Sequence, residues 1–123
     1  MSFIHYLFLG HFEHDGEMVR FARNSSEGAY RPVVRRPIDL GAVKAVLGDV
    51  KGAEVDDLAF PDDWPIWLDA GYLVCDKYTR NQEAINFIGR LVERIRCDIH
   101  NVSAHCDITL RDWLVATEAY AKP

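Results

Sequence analysis

The segment from Ser103 to Asp107 holds a hydroxyl, an imidazole, a thiol and a carboxylate within five residues. A nucleophile beside a general base is the arrangement that covalent catalysis needs. Catalytic pairs are usually assembled from distant parts of a chain, however, and neighbours in sequence rarely point at each other. Asp107 can also serve only to begin the helix that follows. The segment therefore stands as an alternative site, and the sequence favours a protein without catalysis while leaving an enzyme open.

The five histidines raise the question of a metal site. His5 and His11 lie six residues apart on one predicted strand, which is about 20 Å and too far for one ion. His11 and His14 differ by an odd number of residues, so they are predicted to point to opposite faces, and a shared ion would require a bulge. No two cysteines have the close spacing of a structural zinc site. We therefore predict no metal site and no cofactor.

The segment from Glu54 to Asp69 carries six carboxylates and no basic residue, and it includes Phe60 and two tryptophans. Carboxylates steer a cationic surface toward a protein, and large aromatic side chains can hold it there. The residues predicted to bind such a partner are Asp56, Asp57, Asp62, Asp63, Trp64 and Trp67. In the alternative that the sequence leaves open, both tryptophans share one buried face of a helical turn and the aspartates are simply solvated.

The composition excludes several classes of protein. The formal net charge is −5, which disfavours nonspecific binding to nucleic acid, because such binding needs clustered lysine and arginine. The apolar run near the start is far shorter than a membrane span and lacks the features of a secretory signal. Three cysteines, an odd number, fit a reducing compartment. We expect a cytoplasmic protein that contacts neither nucleic acid nor a membrane.

The first third of the chain predicts an antiparallel hairpin. Residues 2–12 are apolar at odd and even positions, and Asp15-Gly16 is the strongest short turn signal in the chain. With these two as the turn residues, Phe12 would lie opposite Val19. One face of the hairpin would then carry Phe8, Phe12, Val19 and Phe21.

The middle of the chain predicts an extended segment and a short helix. Residues 30–36 are expected to be extended, with prolines that confine them to an edge. Asp39 is predicted to cap a helix over residues 40–47 that Gly48 closes. A turn or single helical turn around Pro61 and Pro65 is expected to present the two tryptophans.

The last third predicts a strand, a helix, a second strand and a final helix. The strands cover residues 72–78 and 97–102, and apolar residues recur at helical spacing over residues 80–95. Thr79 with Gln82 is predicted to form a capping box for that helix, and Thr109 with Asp112 is predicted to begin the last one. A strand, helix, strand unit makes its two strands parallel.

Ligands gather at the carboxyl ends of parallel strands, so this edge is the alternative site, suited to a small anion at two helix N-termini. Its residues are Asp76, Lys77, Tyr78, Thr79, His105, Cys106 and Asp107.

The sequence as a whole predicts one α+β domain over residues 1–123, in which the hairpin and the β-α-β-α unit form one mixed sheet with two to three helices. The predicted function is that of a small acidic protein-binding module, of the type of a bacterial immunity protein or antitoxin-type inhibitor, which covers a basic surface of a partner such as a toxin. The alternatives are a small enzyme or anion binder at the loop edge, and a homodimer.

Overall fold

The computed structural model describes residues 5–24, 29–55, 57–77, 79–102 and 106–121. Over these ranges the chain has an α+β fold, as predicted. The strands are β1 (Tyr6–Phe12), β2 (His14–Asp15), β3 (Met18–Val19), β4 (Phe21–Asn24), β5 (Ala29–Pro32), β6 (Val34–Arg36), β7 (Ile66–Leu68), β8 (Leu73–Asp76), β9 (Asp98–Asn101) and β10 (Cys106–Asp107). The helices are α1 (Leu40–Lys51), α2 (Gln82–Ile95) and α3 (Leu110–Ala121).

β1 lies at the centre of the main sheet, whose order is β10-β9-β1-β8-β7. It is buried along almost its whole length, which explains why its sequence is apolar at both odd and even positions. It pairs antiparallel with β8 and with β9, and its last two residues pair with β6. β8 and β9 therefore run in the same direction, as predicted, but they are not neighbours. β1 lies between β8 and β9, so these two strands do not form a parallel pair. Every pairing among the described strands is antiparallel.

The helices cover the face of the sheet that carries Leu7 and Leu9. Both leucines are fully buried in the larger core, together with the apolar faces of α1 and α2 and with Trp113 of α3. Burying the apolar face of α2 removes several large side chains from water, each worth about 1.5–3 kcal/mol. Lys51 and Glu83 also join α1 to α2, with 3.6 Å between Nζ and Oε1. We call this the helix face of the sheet.

Two of the three predicted helix starts need no revision. The carboxylate of Asp39 accepts hydrogen bonds from the N–H groups of Gly41 and Ala42, at 2.9 and 3.2 Å. Thr109 Oγ1 accepts from the N–H of Asp112 at 3.1 Å. Both side chains thereby satisfy N–H groups that have no partner within the helix.

The predicted end of α1 at Gly48 is wrong. The helix continues to Lys51 and ends at Gly52, whose φ of +69° is the left-handed conformation that suits a C-terminal glycine. Gly48 is required for a different reason, which is close packing. A Cβ at Gly48 would lie 2.9 Å from the carbonyl oxygen of Ala53, where the chain folds back on the helix.

The predicted capping box of α2 is also wrong. The N-cap is Asn81, whose side-chain oxygen accepts from the N–H of Ala84 at 3.2 Å. Thr79 is buried and accepts from the N–H of Asn81 at 3.2 Å. Thr79 therefore holds the capping residue in place, and the helix begins later than predicted.

The predicted hairpin has the wrong register and the wrong partner. The turn residues are Gly16 and Glu17, so Val19 lies opposite His14 and not Phe12. Gly16 has a φ of +65°, which suits the first position of a two-residue hairpin turn. Hydrogen bonds of Glu13 to Arg20 and to Val33 join this short hairpin to the loop between β5 and β6. The hairpin folds over the sheet instead of extending β1.

The face opposite the helices carries a second core. Phe8, Phe12, Val19, Tyr72 and Val74 are buried together there. The ring of Phe21 contacts that of Phe8, with 6.5 Å between their centroids. The predicted shared face of the four hairpin residues is thus confirmed in spite of the shifted register. We call this side the outer face. None of the helices in the described ranges is long and apolar enough to cross a membrane.

Candidate functional site

Trp67 lies on the outer face of β7, the last strand of the main sheet. Among the described strands β7 pairs with β8, so its other side is an open edge. The indole meets the ring of Tyr6 edge-on, with 5.1 Å between centroids and 83° between planes. It remains 37% exposed, and Leu68 beside it is 40% exposed. The strand therefore exposes two large apolar side chains at a sheet edge, Trp67 on the outer face and Leu68 on the helix face.

Trp64 does not share that surface. It is 5% exposed and packs on the helix side between Phe60 and Phe87, with centroid distances of 6.4 and 5.5 Å. The expected helical turn is a turn at residues 62–63 followed by a strand, and odd spacing along an extended chain sends side chains to opposite faces. The predicted role of Trp64 as an anchor required exposure, and the buried Trp64 does not meet that condition.

The carboxylates of the acidic segment have different environments. Asp57, Asp62 and Asp63 are exposed, and Asp63 accepts from the side-chain amide of Asn81 at 3.2 Å. Asp69 is bound within the fold, because it accepts from Arg31 and from the hydroxyl of Tyr72, each at 3.1 Å. Burial, and then Asp69, raises the pKa of Tyr72, so the hydroxyl stays a donor. Asp56 lies outside the described residues.

A shallow depression of about 490 Å³ lies beside Leu68. It is lined mostly by apolar side chains, including Val34, Ile38 and Leu40, together with Arg35 and Arg36. Leu40 is itself 44% exposed. The apolar surface at β7 therefore continues around the end of the sheet toward the start of α1.

The alternative site at the loop edge is not assembled by the described residues. β8, which carries Asp76, and β10, which carries Cys106 and Asp107, are separated by β1 and β9. Three strand spacings place them roughly 14 Å apart. Thr79 is buried and occupied in holding Asn81. Tyr78 and His105 lie outside the described residues, so the structure does not place them relative to this edge.

Asp107 lies instead between two histidines on the outer face. Nε2 of His14 lies 2.8 Å from Oδ2, and Nδ1 of His100 lies 3.2 Å from Oδ1. His100 is 1% exposed and packs against the rings of Phe8 and Phe21. The hydrogen bond to Asp107 raises the pKa of His14, although partial burial opposes this shift.

Asp98 completes this group. Its Oδ2 accepts from the N–H of Phe12 at 3.1 Å, while Nδ1 of His14 donates to the carbonyl oxygen of Phe12 at 3.2 Å. One ligand atom each from His14, Asp98 and Asp107 lie within 4.8 Å of one another. We call these three residues the His14 cluster.

No family model, no curated protein and no solved structure matches this chain. Two surfaces among the described residues have exposed groups suited to binding, the edge at β7 and the His14 cluster. The first was indicated in part by the density of acidic and aromatic residues. The second was not predicted as a group, because His14 lies far along the chain from Asp98 and Asp107, which are on the paired strands β9 and β10.

His11 does not join the His14 cluster. It is 5% exposed on β1, and burial, followed by the charges of Arg36 and Arg35, lowers its pKa. An imidazole next to two guanidinium groups stays neutral at physiological pH. The structure thus separates the two histidines that the sequence considered together.

The cysteines divide into two buried thiols and one exposed thiol. Cys75 and Cys97 are buried, and burial raises the pKa of both, to about 12 for Cys97. A buried thiol of this kind behaves as a small apolar residue. Cys106 is exposed, and since it precedes Asp107 on a strand, its side chain points away from the His14 cluster.

Proposed function

We propose that this protein is a binding module without chemistry of its own, which covers a basic surface of a partner protein through the β7 edge surface. We define this surface as Asp57, Asp62, Asp63, Trp67 and Leu68. The type of protein proposed is a cytoplasmic inhibitor of the immunity or antitoxin kind, with a bacterial toxin as its partner.

The observation that carries the proposal is the partly exposed indole of Trp67 at the open edge of the sheet. A partner that covers the exposed part of this indole removes apolar surface from water, which favours binding. Tryptophan is also enriched among the residues that dominate binding energy. The indole of Trp67 already packs against the ring of Tyr6, and a side chain that is packed before binding loses less entropy when a partner covers it.

Exposed carboxylates precede this strand and supply the charge. Asp62 and Asp63 form the turn that leads into β7, and Asp57 lies further back on the same segment. Exposed charges accelerate the encounter with an oppositely charged surface more than they tighten the complex. A protein with a net charge of −5 adds a field of the same sign. We therefore assign steering to the aspartates and anchoring to Trp67 and Leu68.

The backbone of β7 can also contribute. Pro65 bonds to Asp76 and Asp69 bonds to Tyr72, so the intervening Trp67 directs its backbone groups to β8, and Ile66 and Leu68 direct theirs to the open edge. An added strand from the partner would satisfy these groups. The edge is short, which limits self-association in the unbound protein.

The test measures the affinity and the association rate of a captured partner protein for the wild-type protein and for two variants. Trp67→Ala is expected to cost at least about 2 kcal/mol of binding free energy. Asp62→Lys with Asp63→Lys is expected to slow association roughly tenfold at low ionic strength and to leave dissociation nearly unchanged. The matched controls are Val115→Ala, an exposed apolar residue of α3, and Asp49→Lys, an exposed aspartate of α1.

A water-soluble carbodiimide locates the contact, because it links carboxylates directly to lysines of a bound protein. Cross-links from Asp62 or Asp63 to the captured partner support the proposal. A partner that binds the wild-type protein, both test variants and both controls equally contradicts it. So does a captured partner whose contact surface is acidic.

The second candidate, a small enzyme or anion binder at the loop edge of residues 76–79 and 103–107, has less support. The strands that carry its described residues lie on opposite sides of β1 and β9. Thiol alkylation of Cys106 distinguishes it from the binding module. Loss of phosphate or substrate binding on alkylation favours the second candidate, whereas unchanged partner capture favours the first.

A further inference from the structure

We propose that His14, Asp98 and Asp107 bind one divalent first-row transition-metal ion, such as Zn²⁺ or Mn²⁺. The three side chains come from β2, β9 and β10, and one potential ligand atom from each lies within 4.8 Å of the others. This site is independent of the docking surface at β7, which lies at the other end of the main sheet.

Each of the three side chains is held by a partner outside the cluster. Nδ1 of His14 donates to the carbonyl oxygen of Phe12 at 3.2 Å. This bond favours the tautomer whose Nε2 carries a lone pair, which is the form that binds a metal. Metal-binding histidines commonly donate their second N–H to a backbone carbonyl in this way.

The two carboxylates are oriented in the same manner. Oδ2 of Asp98 accepts from the N–H of Phe12 at 3.1 Å, and Oδ1 of Asp107 is 3.2 Å from Nδ1 of the buried His100. Phe12 and His100 both lie in or beside the outer core, so these bonds come from a rigid part of the fold. Such outer bonds fix the direction of the ligand atoms before an ion arrives.

The charges of the cluster favour a dication. Two carboxylates held within 4.8 Å of a common imidazole repel each other. When His14 is protonated it offsets one negative charge, and its Nε2 lies 2.8 Å from Oδ2 of Asp107. A divalent ion offsets both charges and replaces the proton on Nε2.

The ligand types select the class of ion. Carboxylate oxygens alone suit Mg²⁺ and Ca²⁺, whereas an imidazole nitrogen shifts the preference to transition metals. The side chains of His14 and Asp107 are 28% and 30% exposed, so water can complete the coordination. Three protein ligands and an open position are the arrangement found in catalytic zinc sites.

The first experiment titrates the full chain with ZnCl₂ and with MnCl₂ in a calorimeter, after treatment with a chelator. One ion per chain is expected. His14→Gln, Asp98→Asn and Asp107→Asn are each expected to weaken metal binding at least about tenfold. Loss of an outer-shell partner already costs that much, and loss of a direct ligand should cost no less. The controls are His5→Gln and Asp112→Asn, an exposed histidine and an exposed aspartate outside the cluster, and both are expected to bind as the wild-type protein does.

The second experiment needs no variant and therefore does not depend on the folding of one. Two-bond ¹H–¹⁵N spectra of the histidines, recorded with and without Zn²⁺, are expected to show His14 binding through Nε2 while Nδ1 stays protonated. Absence of Zn²⁺ and Mn²⁺ binding by the wild-type chain overturns the proposal and leaves His14 as an ion pair with Asp107. Equal binding by His14→Gln and Asp98→Asn, or a shift at His5 in place of His14, places the ion elsewhere and overturns it too.

Discussion

His14 and Asp107 are 93 residues apart in the chain, and their side chains lie 2.8 Å apart. The contact exists because the hairpin of β2 and β3 folds over the outer face onto β10. The pairing of β1 with β6 is irregular just before this hairpin: His11 pairs with Arg36 and Phe12 with Val34, so Arg35 is an extra residue in β6. From the sequence, an ion shared by His11 and His14 would have required a bulge between them. In the structure the irregularity lies in β6, and His14 lies beside two carboxylates and not beside His11.

Acidification is expected to destabilise the protein through His11. Burial and two arginines lower the pKa of His11 in the folded state. The stabilisation is therefore complete above the unfolded value of about pH 6.5 and is lost as the pH falls through the lower folded value. Urea unfolding of the wild-type protein and of His11→Gln, at several pH values below neutrality, measures this. Equal losses of stability on acidification would show that His11 makes no such contribution.

Gly10 and Gly89 are expected to respond oppositely to substitution by alanine. A Cβ at Gly10 would lie 2.9 Å from Cβ of Tyr72 and 3.0 Å from Cζ of Phe12, so Gly10→Ala should cost about 1–3 kcal/mol. At Gly89, inside α2, an added Cβ meets no atom within 4 Å. Gly89→Ala should gain up to about 1 kcal/mol of stability, because alanine favours a helix. Chemical denaturation measures both values, and a stabilising Gly10→Ala would contradict the packing at the centre of the sheet.

The side chain of Asn81 is expected to contribute more to the stability of the protein than the side chain of Gln82 does. Removing the N-cap by Asn81→Ala should cost about 1 kcal/mol of unfolding free energy. The comparison is Gln82→Ala, since Gln82 is exposed on the first turn and bonds to Asn86 on the same helix. This change should stay within about 0.5 kcal/mol. A greater loss from Gln82→Ala than from Asn81→Ala would restore the capping box expected from the sequence.

One thiol in three is expected to react in the folded protein. Cys106 is exposed, whereas Cys75 and Cys97 are buried and burial raises the pKa of each. Titration with a disulfide reagent should give about one equivalent per chain without denaturant and about three with it, because the thiolate is the reactive form. Cys106→Ser should abolish the fast equivalent. More than one fast thiol in the native protein would mean that the core around Cys75 opens readily.

Local signals predicted the helices and strands well where the neighbouring residues set the structure. The apolar spacing of α2, the caps at Asp39 and Thr109, and the extended residues of β8 and β9 depend on hydrogen bonds and side-chain directions within a few positions. The predicted end of α1 was wrong where two glycines could each have ended the helix. Gly48 and Gly52 are both glycines near the end of α1. Gly52 has the left-handed conformation that ends the helix, whereas Gly48 leaves room for the carbonyl oxygen of Ala53.

The candidate sites depended more on contacts across the fold. The acidic and aromatic composition of residues 54–69 marked a segment, but the environment of each residue followed from the sheet: Trp64 packs with Phe87 of α2, Asp69 bonds to Arg31 of β5, and Trp67 remains at the edge.

The sequence by itself determined the α+β character, the apolar first strand and the amphipathic helices, because periodicity and capping act over a few residues. Only the tertiary structure decided that β1 lies between β8 and β9, that Asp76 and Asp107 are therefore apart, and that His14 meets Asp98 and Asp107. Strand order and hairpin direction are set by which apolar faces can be buried together. That is a property of the whole chain, and no local spacing encodes it.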